Sequence, residues 1–150
     1  MSISKLSKAA GGLALLLLSG WGAPQRPPRL VRITGTDYAF HIPDHIRAGE
    51  TIFTFENRGS VRHEMSLALV KAGVGPDSIF TTLVAGSARR DWLEGQAPLI
   101  VSRPGDHPGP GLWLDLQAGR TFLVLCTLRD TANARPHLMM CMIGKFRVEP

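Results

Sequence analysis

The sequence predicts an all-β domain folded as a sandwich of two sheets, and three observations support this prediction. Short β-prone segments recur along the chain, separated by turn signals rich in Gly, Pro, Asn and Asp. Residues 51–56 alternate in polarity, which is typical of a strand with one buried face. Residues 121–128 are apolar on both faces, as expected for a strand in the middle of a sandwich.

The predicted strands follow one another at short intervals. They comprise residues 30–34, 38–42, 51–56, 61–70, 98–103, 113–116, 121–128 and 143–148. In the segment 61–70, the odd positions share one face, so that His63 lies among apolar side chains.

Residues 71–110 interrupt this pattern. Pro76-Asp77-Ser78 is a helix-start signal, and an apolar stripe with helical spacing follows it, formed by Ile79, Phe80, Leu83 and Val84. We interpret this segment as a helical and loop excursion between two strands, with its helix packed on the sandwich.

The N-terminus predicts export. Residues 1–22 have the features of a secretory signal peptide, with Lys5 and Lys8 before an apolar run that is too short to span a bilayer. An uncleaved anchor is the alternative. We expect a flexible lead-in at 23–29, a folded domain at 30–150, and a periplasmic or secreted location.

The composition argues against two functional classes. The chain has 17 Lys and Arg, 12 Asp and Glu, and a net charge of +5, but two of the lysines lie in the predicted signal peptide. The basic residues are scattered and form no stripe with aromatic residues, so nucleic acid is not an expected partner. No nucleophile motif or Gly-rich phosphate loop appears, so an enzyme is not expected.

The C-terminal third gathers soft metal ligands. The run from Cys126 to Met142 contains a thiolate, the imidazole of His137 and several thioethers in or beside one loop. One thiolate, two imidazoles and a weak axial Met form the blue-copper donor set. His63 is the natural second imidazole, so we predict one copper ion held by His63, Cys126, His137 and Met142.

Two alternatives compete at the same residues. Met139 and Met140 are rivals of Met142 for the axial position. Cys126 and Cys141 are the two cysteines of the chain, and in an oxidising compartment they could form a disulfide that removes the thiolate. His41, His45 and His107 are interpreted as structural or solvated.

These motifs together resemble the cupredoxins. The resemblance rests on Asn-Arg-Gly-Ser-Val-Arg-His at 57–63, on the strand 116–126 that leads into the cysteine, on His137 with Met142 five positions later, and on the closing strand 144–148. It covers residues 30–148, with 71–110 matched loosely. It implies a Greek-key β-sandwich, blue-copper electron transfer, and a redox or copper-delivery partner, which a mildly basic surface would favour if that partner were acidic.

Three departures from the cupredoxin pattern bear on the site. Ten residues separate Cys126 from His137, a longer loop than in many small relatives. Glu64 follows His63 where relatives often carry Asn, and Cys141 stands where a Gly is common. A Cu(I)-buffering protein, or a metal-free module with a Cys126–Cys141 disulfide, are therefore the alternative functions.

Overall fold

The structure is a computed structural model that describes residues 26–43 and 45–150. The predicted signal peptide and the first part of the lead-in therefore lie outside the described residues. The elements are β1 (Arg29–Thr36), β2 (Ala39–His41), β3 (Ile46–Arg47), β4 (Gly49–Asn57), β5 (His63–Val70), α1 (Pro76–Val84), β6 (Leu93–Ser102), β7 (Leu112–Leu116), β8 (Thr121–Leu125), the 3-10 helix η1 (His137–Met140) and β9 (Ile143–Glu149).

The strands form two sheets. One has four strands in the order β2-β1-β4-β7, and the other has five in the order β3-β9-β8-β5-β6. The β1–β4 and β3–β9 pairs are parallel and the remaining pairs are antiparallel, so both sheets are mixed. This architecture confirms the predicted all-β sandwich.

Two apolar clusters explain why β8 is apolar on both faces. Phe122 and Val124 point into the core between the sheets, which also contains fully buried phenylalanines of β4. Leu123 and Leu125 point the other way, into a second cluster beneath α1. Alternate side chains of one strand therefore fill two cores, as the period of two in a strand requires.

Helix α1 packs on the sandwich as its apolar stripe predicted. Ile79 and Leu83 are buried at 3% and 1% exposure, and Phe80 and Val84 pack partly buried against the same cluster. Pro occupies its first turn, where the missing N–H costs no hydrogen bond. Within the described residues, no helix is long and apolar enough to cross a membrane.

The excursion predicted at 71–110 is shorter than expected. Strand β6 lies inside that range and pairs with β5 from Leu93 opposite Val70 to Ser102 opposite His63. The sequence predicted only the second half of this strand, at 98–103, because Gly95 and Pro98 weaken strand predictions. β6 is an edge strand, where proline is tolerated. Ser102 thereby reaches the same end of the sandwich as His63.

Candidate metal centre

The predicted ligands lie at one end of the sandwich, at the ends of strands. His63 is the first residue of β5, and Cys126 directly follows β8. Because β5 and β8 are antiparallel, with Ser66 opposite Leu125, the start of β5 and the end of β8 are neighbours. His137 opens η1, and Met142 directly precedes β9.

Three of the four predicted ligands converge. Nδ1 of His63 lies 3.1 Å from Nδ1 of His137, and Sγ of Cys126 lies 3.3 Å from the same nitrogen of His137. The three donor atoms all lie within 4.8 Å of one another, and the three residues are fully buried. Within the described residues, this is the one group of at least three His, Cys and acidic side chains able to hold a metal ion.

Both imidazoles turn their Nε2 atoms toward carboxylates. Nε2 of His137 lies 2.9 Å from Oδ1 of Asp130, and Nε2 of His63 lies 3.5 Å from Oδ1 of Asp37. A carboxylate beside Nε2 favours the proton on that nitrogen, which leaves the lone pair of Nδ1 free for a metal. The two rings are thus oriented with their free donor atoms toward each other and toward the cysteine.

Tyr38 completes the support of His137. Its hydroxyl donates a 2.7 Å hydrogen bond to Oδ2 of Asp130, and this bond, with a further contribution from His137, holds the pKa of the Asp130 carboxyl below its ordinary value. The ring of Tyr38 packs edge-on against His137 at 5.1 Å and against His63 at 6.2 Å. Tyr38 therefore covers both imidazoles while fixing the carboxylate that orients one of them.

The thiol of Cys126 is buried and accepts hydrogen bonding from the backbone. The backbone N–H of Glu64 donates to Sγ at 3.3 Å. Burial raises the pKa of the Cys126 thiol, and the hydrogen bond from Glu64 partly opposes this effect. A thiolate at this position therefore needs a positive charge close to the sulfur, which a bound metal cation supplies.

Glu64 turns its own carboxylate away from the sulfur. Oε1 accepts hydrogen bonds from the backbone N–H of Thr127 at 2.8 Å and from its hydroxyl at 2.7 Å. The side chain therefore ties the start of β5 to the residue after Cys126. With Glu in place of Asn at position 64, the backbone N–H still donates to the sulfur of Cys126, and the side chain adds a link between the two segments that carry His63 and Cys126.

Backbone hydrogen bonds close the long loop between Cys126 and His137. The N–H of His137 donates to the carbonyl of Leu128, and that of Leu138 to the carbonyl of Cys126, both at 2.8 Å. The N–H of Met142 then donates to the carbonyl of His137 at 3.0 Å. These bonds therefore hold the imidazole of His137 and the thiol of Cys126 in fixed positions, although ten residues lie between them.

The Asn-x-Gly motif shapes the approach to His63. The side-chain amide of Asn57 donates to the carbonyls of Val61 at 2.8 Å and Ser102 at 3.0 Å. Val61 is therefore held in the turn, and β5 begins at His63 rather than at the predicted 61. A Cβ on Gly59 would lie 2.8 Å from Nε2 of His63 and 2.4 Å from Oδ1 of Asp37, so glycine is required for this packing.

The methionines separate into two environments. Met142 is fully buried. Met139 instead packs against the second cluster, where its methyl group would lie 3.0 Å from a Cβ on Gly86. Met139 is therefore engaged on the helix side of the loop, which favours Met142 over Met139 among the predicted rivals.

The two cysteines also differ in their exposure to solvent. Both are free thiols, Cys126 buried and Cys141 exposed, so the disulfide considered above is not formed in this structure. Cys141 has a φ of 71°, in the left-handed region that glycine occupies most easily. This conformation accounts for the glycine that is common at this position in the cupredoxins, which the sequence resembles.

Sequence reasoning missed the residues around the ligands. Tyr38 was assigned only to the predicted strand 38–42, and Asp37 and Asp130 were assigned no role at the site. No spacing rule identifies them, because their roles depend on where two distant loops meet. The remaining histidines, His41, His45 and His107, are exposed, as expected.

Known structures show the same fold. Auracyanin B matches with a TM-score of 0.54 at 18% identity, covering 85% of this chain and 94% of that one. Auracyanin A from Chloroflexus aurantiacus, a "blue" copper protein of a green thermophilic photosynthetic bacterium, matches with 0.50 at 22% identity, covering 82% and 100%. Reduced auracyanin from Roseiflexus castenholzii matches with 0.50 at 17% identity, covering 81% and 97%. No family model and no curated protein sequence matches the chain.

The fold is therefore that of the cupredoxins, a Greek-key β-sandwich, as the resemblance predicted. At the ligand end of this fold, one buried thiol and two imidazoles converge, each imidazole with a carboxylate behind it. Soft sulfur combined with imidazole is the donor chemistry that copper prefers. The site fits one copper ion.

Proposed function

We propose that this protein is an exported blue copper protein that transfers single electrons. One copper ion would be bound by Nδ1 of His63, Sγ of Cys126 and Nδ1 of His137, with Met142 as the weak axial ligand. The observation that carries the proposal is the convergence of these three donor atoms in a fully buried site. The predicted signal peptide and the domain boundaries at 23–29 and 30–150 are part of the same proposal.

The chain supplies rigidity and exclusion of water. A bound copper ion would alternate between the cuprous and cupric states, and a site that keeps its ligands in place needs little rearrangement for each electron. The backbone bonds across the Cys126–Met142 loop and the Glu64–Thr127 link fix the ligand positions. Tyr38 covers both imidazoles, and all three donor residues are shielded from solvent.

The test is addition of Cu(II) to the purified protein, with two serine variants as a matched pair. We expect a 1:1 complex with an intense visible thiolate-to-copper band, lost in Cys126→Ser and retained in Cys141→Ser. Each variant replaces one sulfur atom by oxygen. Cys126 is buried beside the imidazoles, whereas Cys141 is exposed. The absence of this band in the unmodified protein, with Cys126 reduced, would refute the proposal.

A further inference from the structure

A cleft beside the metal end is lined by three arginines. Arg62, Arg103 and Arg129 surround an open cleft of about 440 Å³, together with Val61, Pro104 and Asp130. We call this surface the arginine cleft. All three arginines are exposed, as is the one acidic residue of the lining.

Each arginine is a chain neighbour of a residue that builds the candidate site. Arg62 precedes His63, and Arg129 precedes Asp130, which holds Nε2 of His137. Arg103 follows Ser102, which pairs with His63 and receives the hydrogen bond of Asn57. The cleft is therefore positioned by the same backbone as the metal ligands.

Three arginines and one aspartate leave the lining of the cleft with a net positive charge. Among the described residues, neither Arg62 nor Arg103 has a carboxylate within 4.0 Å of its guanidinium, and Arg129 donates to the carbonyl of Ala134. Elsewhere, four arginines do pair with acidic residues, namely Arg32, Arg58, Arg89 and Arg120.

The nearby carboxylates already have partners within the chain. Asp130 accepts from Tyr38 and faces His137, while Asp37 accepts hydrogen bonds from the backbone and hydroxyl of Ser60. Asp106, in the next loop, accepts from the backbone N–H of Arg103. Three guanidinium groups at the rim of the metal end therefore remain available to an external anion.

We infer that the arginine cleft is the docking site for an acidic surface of a redox partner protein. This inference rests on the proposed function, because it concerns where the electron enters or leaves. Three arginines spread around an open cleft match a surface that carries several carboxylates.

Docking here would shorten the route to the metal. A partner seated in the cleft would lie next to Asp130, whose Oδ1 is 2.9 Å from Nε2 of His137. With copper bound, one electron would pass from the reduced partner to the oxidised site, so that the partner would be oxidised by one unit and the site reduced by one. No bond is made or broken and no proton needs to move.

Binding can be tested on the copper-free protein, independently of the proposed function. Succinylated cytochrome c, whose lysines carry carboxylates, is the acidic probe, and native cytochrome c is the basic control. At low salt, we expect the acidic probe to shift the backbone amide NMR signals of residues 61–63, 103, 105 and 128–130. Shifts confined to other surfaces, or reproduced by millimolar inorganic phosphate that displaces the probe, would overturn the docking assignment.

Electron transfer gives the second readout, with charge-matched variants. The triple variant Arg62→Gln, Arg103→Gln, Arg129→Gln is compared with Arg26→Gln, Arg47→Gln, Arg147→Gln. The control residues are exposed and lie toward the other end of the sandwich. In the strand register, Arg47 of β3 stands opposite Glu149 of β9, and Arg147 of β9 stands opposite Thr121 of β8. Both triples remove the same charge, so a difference between them reports position.

The readout is the ratio of rate constants for reduction by succinylated and by native ferrocytochrome c. Because both reductants respond equally to any change in copper potential, the ratio isolates docking. We expect the cleft triple to lower it about tenfold at low salt, and the control triple to change it by less than about twofold. Equal changes in the two triples would overturn the inference. A missing visible copper band would instead count against the proposed function and leave the binding test valid.

Discussion

The two imidazoles of the site are held in place by different means. His63 belongs to a strand, opposite Ser102 in β6, and its contact with Asp37 is long at 3.5 Å. His137 belongs to a loop and a single turn of 3-10 helix, and its contact with Asp130 is 2.9 Å. A ligand on a strand receives its position from the sheet, whereas a ligand on a loop depends on hydrogen bonds from side chains.

The comparison predicts unequal effects for two similar substitutions. In Asp130→Asn, one carboxylate oxygen becomes an amide group that can only donate, although both Tyr38 and His137 offer donors to Asp130. We expect copper affinity to fall about 10–100-fold. Affinity is measured by competition with a chelator of known strength.

The matched control is Asp37→Asn on the other imidazole. Asp37 is held mainly by Ser60 and lies farther from its histidine than Asp130 does. We therefore expect copper affinity to fall by less than about threefold, well below the loss expected for Asp130→Asn. An Asp37→Asn loss equal to or greater than that of Asp130→Asn would contradict the proposed difference between strand and loop ligands.

The strand-borne imidazole should instead be sensitive to packing. In Gly59→Ala, the new methyl group would overlap Nε2 of His63 and Oδ1 of Asp37, so the turn must shift. We expect a loss of about 1–3 kcal/mol in unfolding free energy, measured by denaturant titration of the copper-free protein. Gly109→Ala is the control, since no atom lies within 4 Å of the added Cβ; equal losses would contradict the packing argument.

Acid should destabilise the copper-free protein through His63. Burial lowers the pKa of His63, against the opposing effect of Asp37, so the unfolded chain takes up this proton more readily than the folded one. The stability contributed by neutral His63 is therefore present above about pH 6.5 and is lost as the pH falls below that value.

Denaturant titrations at pH 8, 6.5 and 5 measure this effect. We expect a flatter dependence in His63→Gln than in the unmodified protein. Asp37 and Asp130, whose pKa values are also lowered, affect stability in a lower pH range. Their contribution to stability is lost only as the pH falls below their ordinary pKa near 3.8. An unchanged slope between pH 8 and 5 in His63→Gln would exclude His63 as the source.

The smallest effect is expected on the helix side of the loop. Met139→Leu conserves volume in the second cluster, so we expect less than about 1.5 kcal/mol in stability and no change in affinity for Cu(I). Met142→Leu is the comparison, and it should alter the visible spectrum. Weaker Cu(I) binding in Met139→Leu would support the Cu(I)-buffering alternative instead.

The sequence predicted the features that follow from local pattern. Period-two alternation located most strands, and the positions of Cys126 and His137 next to strand ends predicted that they would meet. The distant His63 was found because it lies near a turn motif on an apolar face. These signals depend on spacing along the chain, which a single sequence contains.

The rest depends on contacts between segments far apart in sequence. Asp130 and Tyr38 are 92 positions apart and act together only because two loops meet over His137. Residues 93–97 of strand β6 were missed because pairing with β5, rather than their own composition, makes them part of a strand. The arginine cleft likewise arises from three loops, and scattered arginines in the sequence do not show which of them share a surface.

X-ray absorption at the copper edge of the 1:1 complex tests the central claim most directly. The arrangement of His63, Cys126 and His137 predicts one sulfur and two imidazole nitrogens in the first shell, with little change in distance between the cupric and cuprous states. A first shell of nitrogen and oxygen only, or one imidazole lost in the cupric protein, would contradict the account.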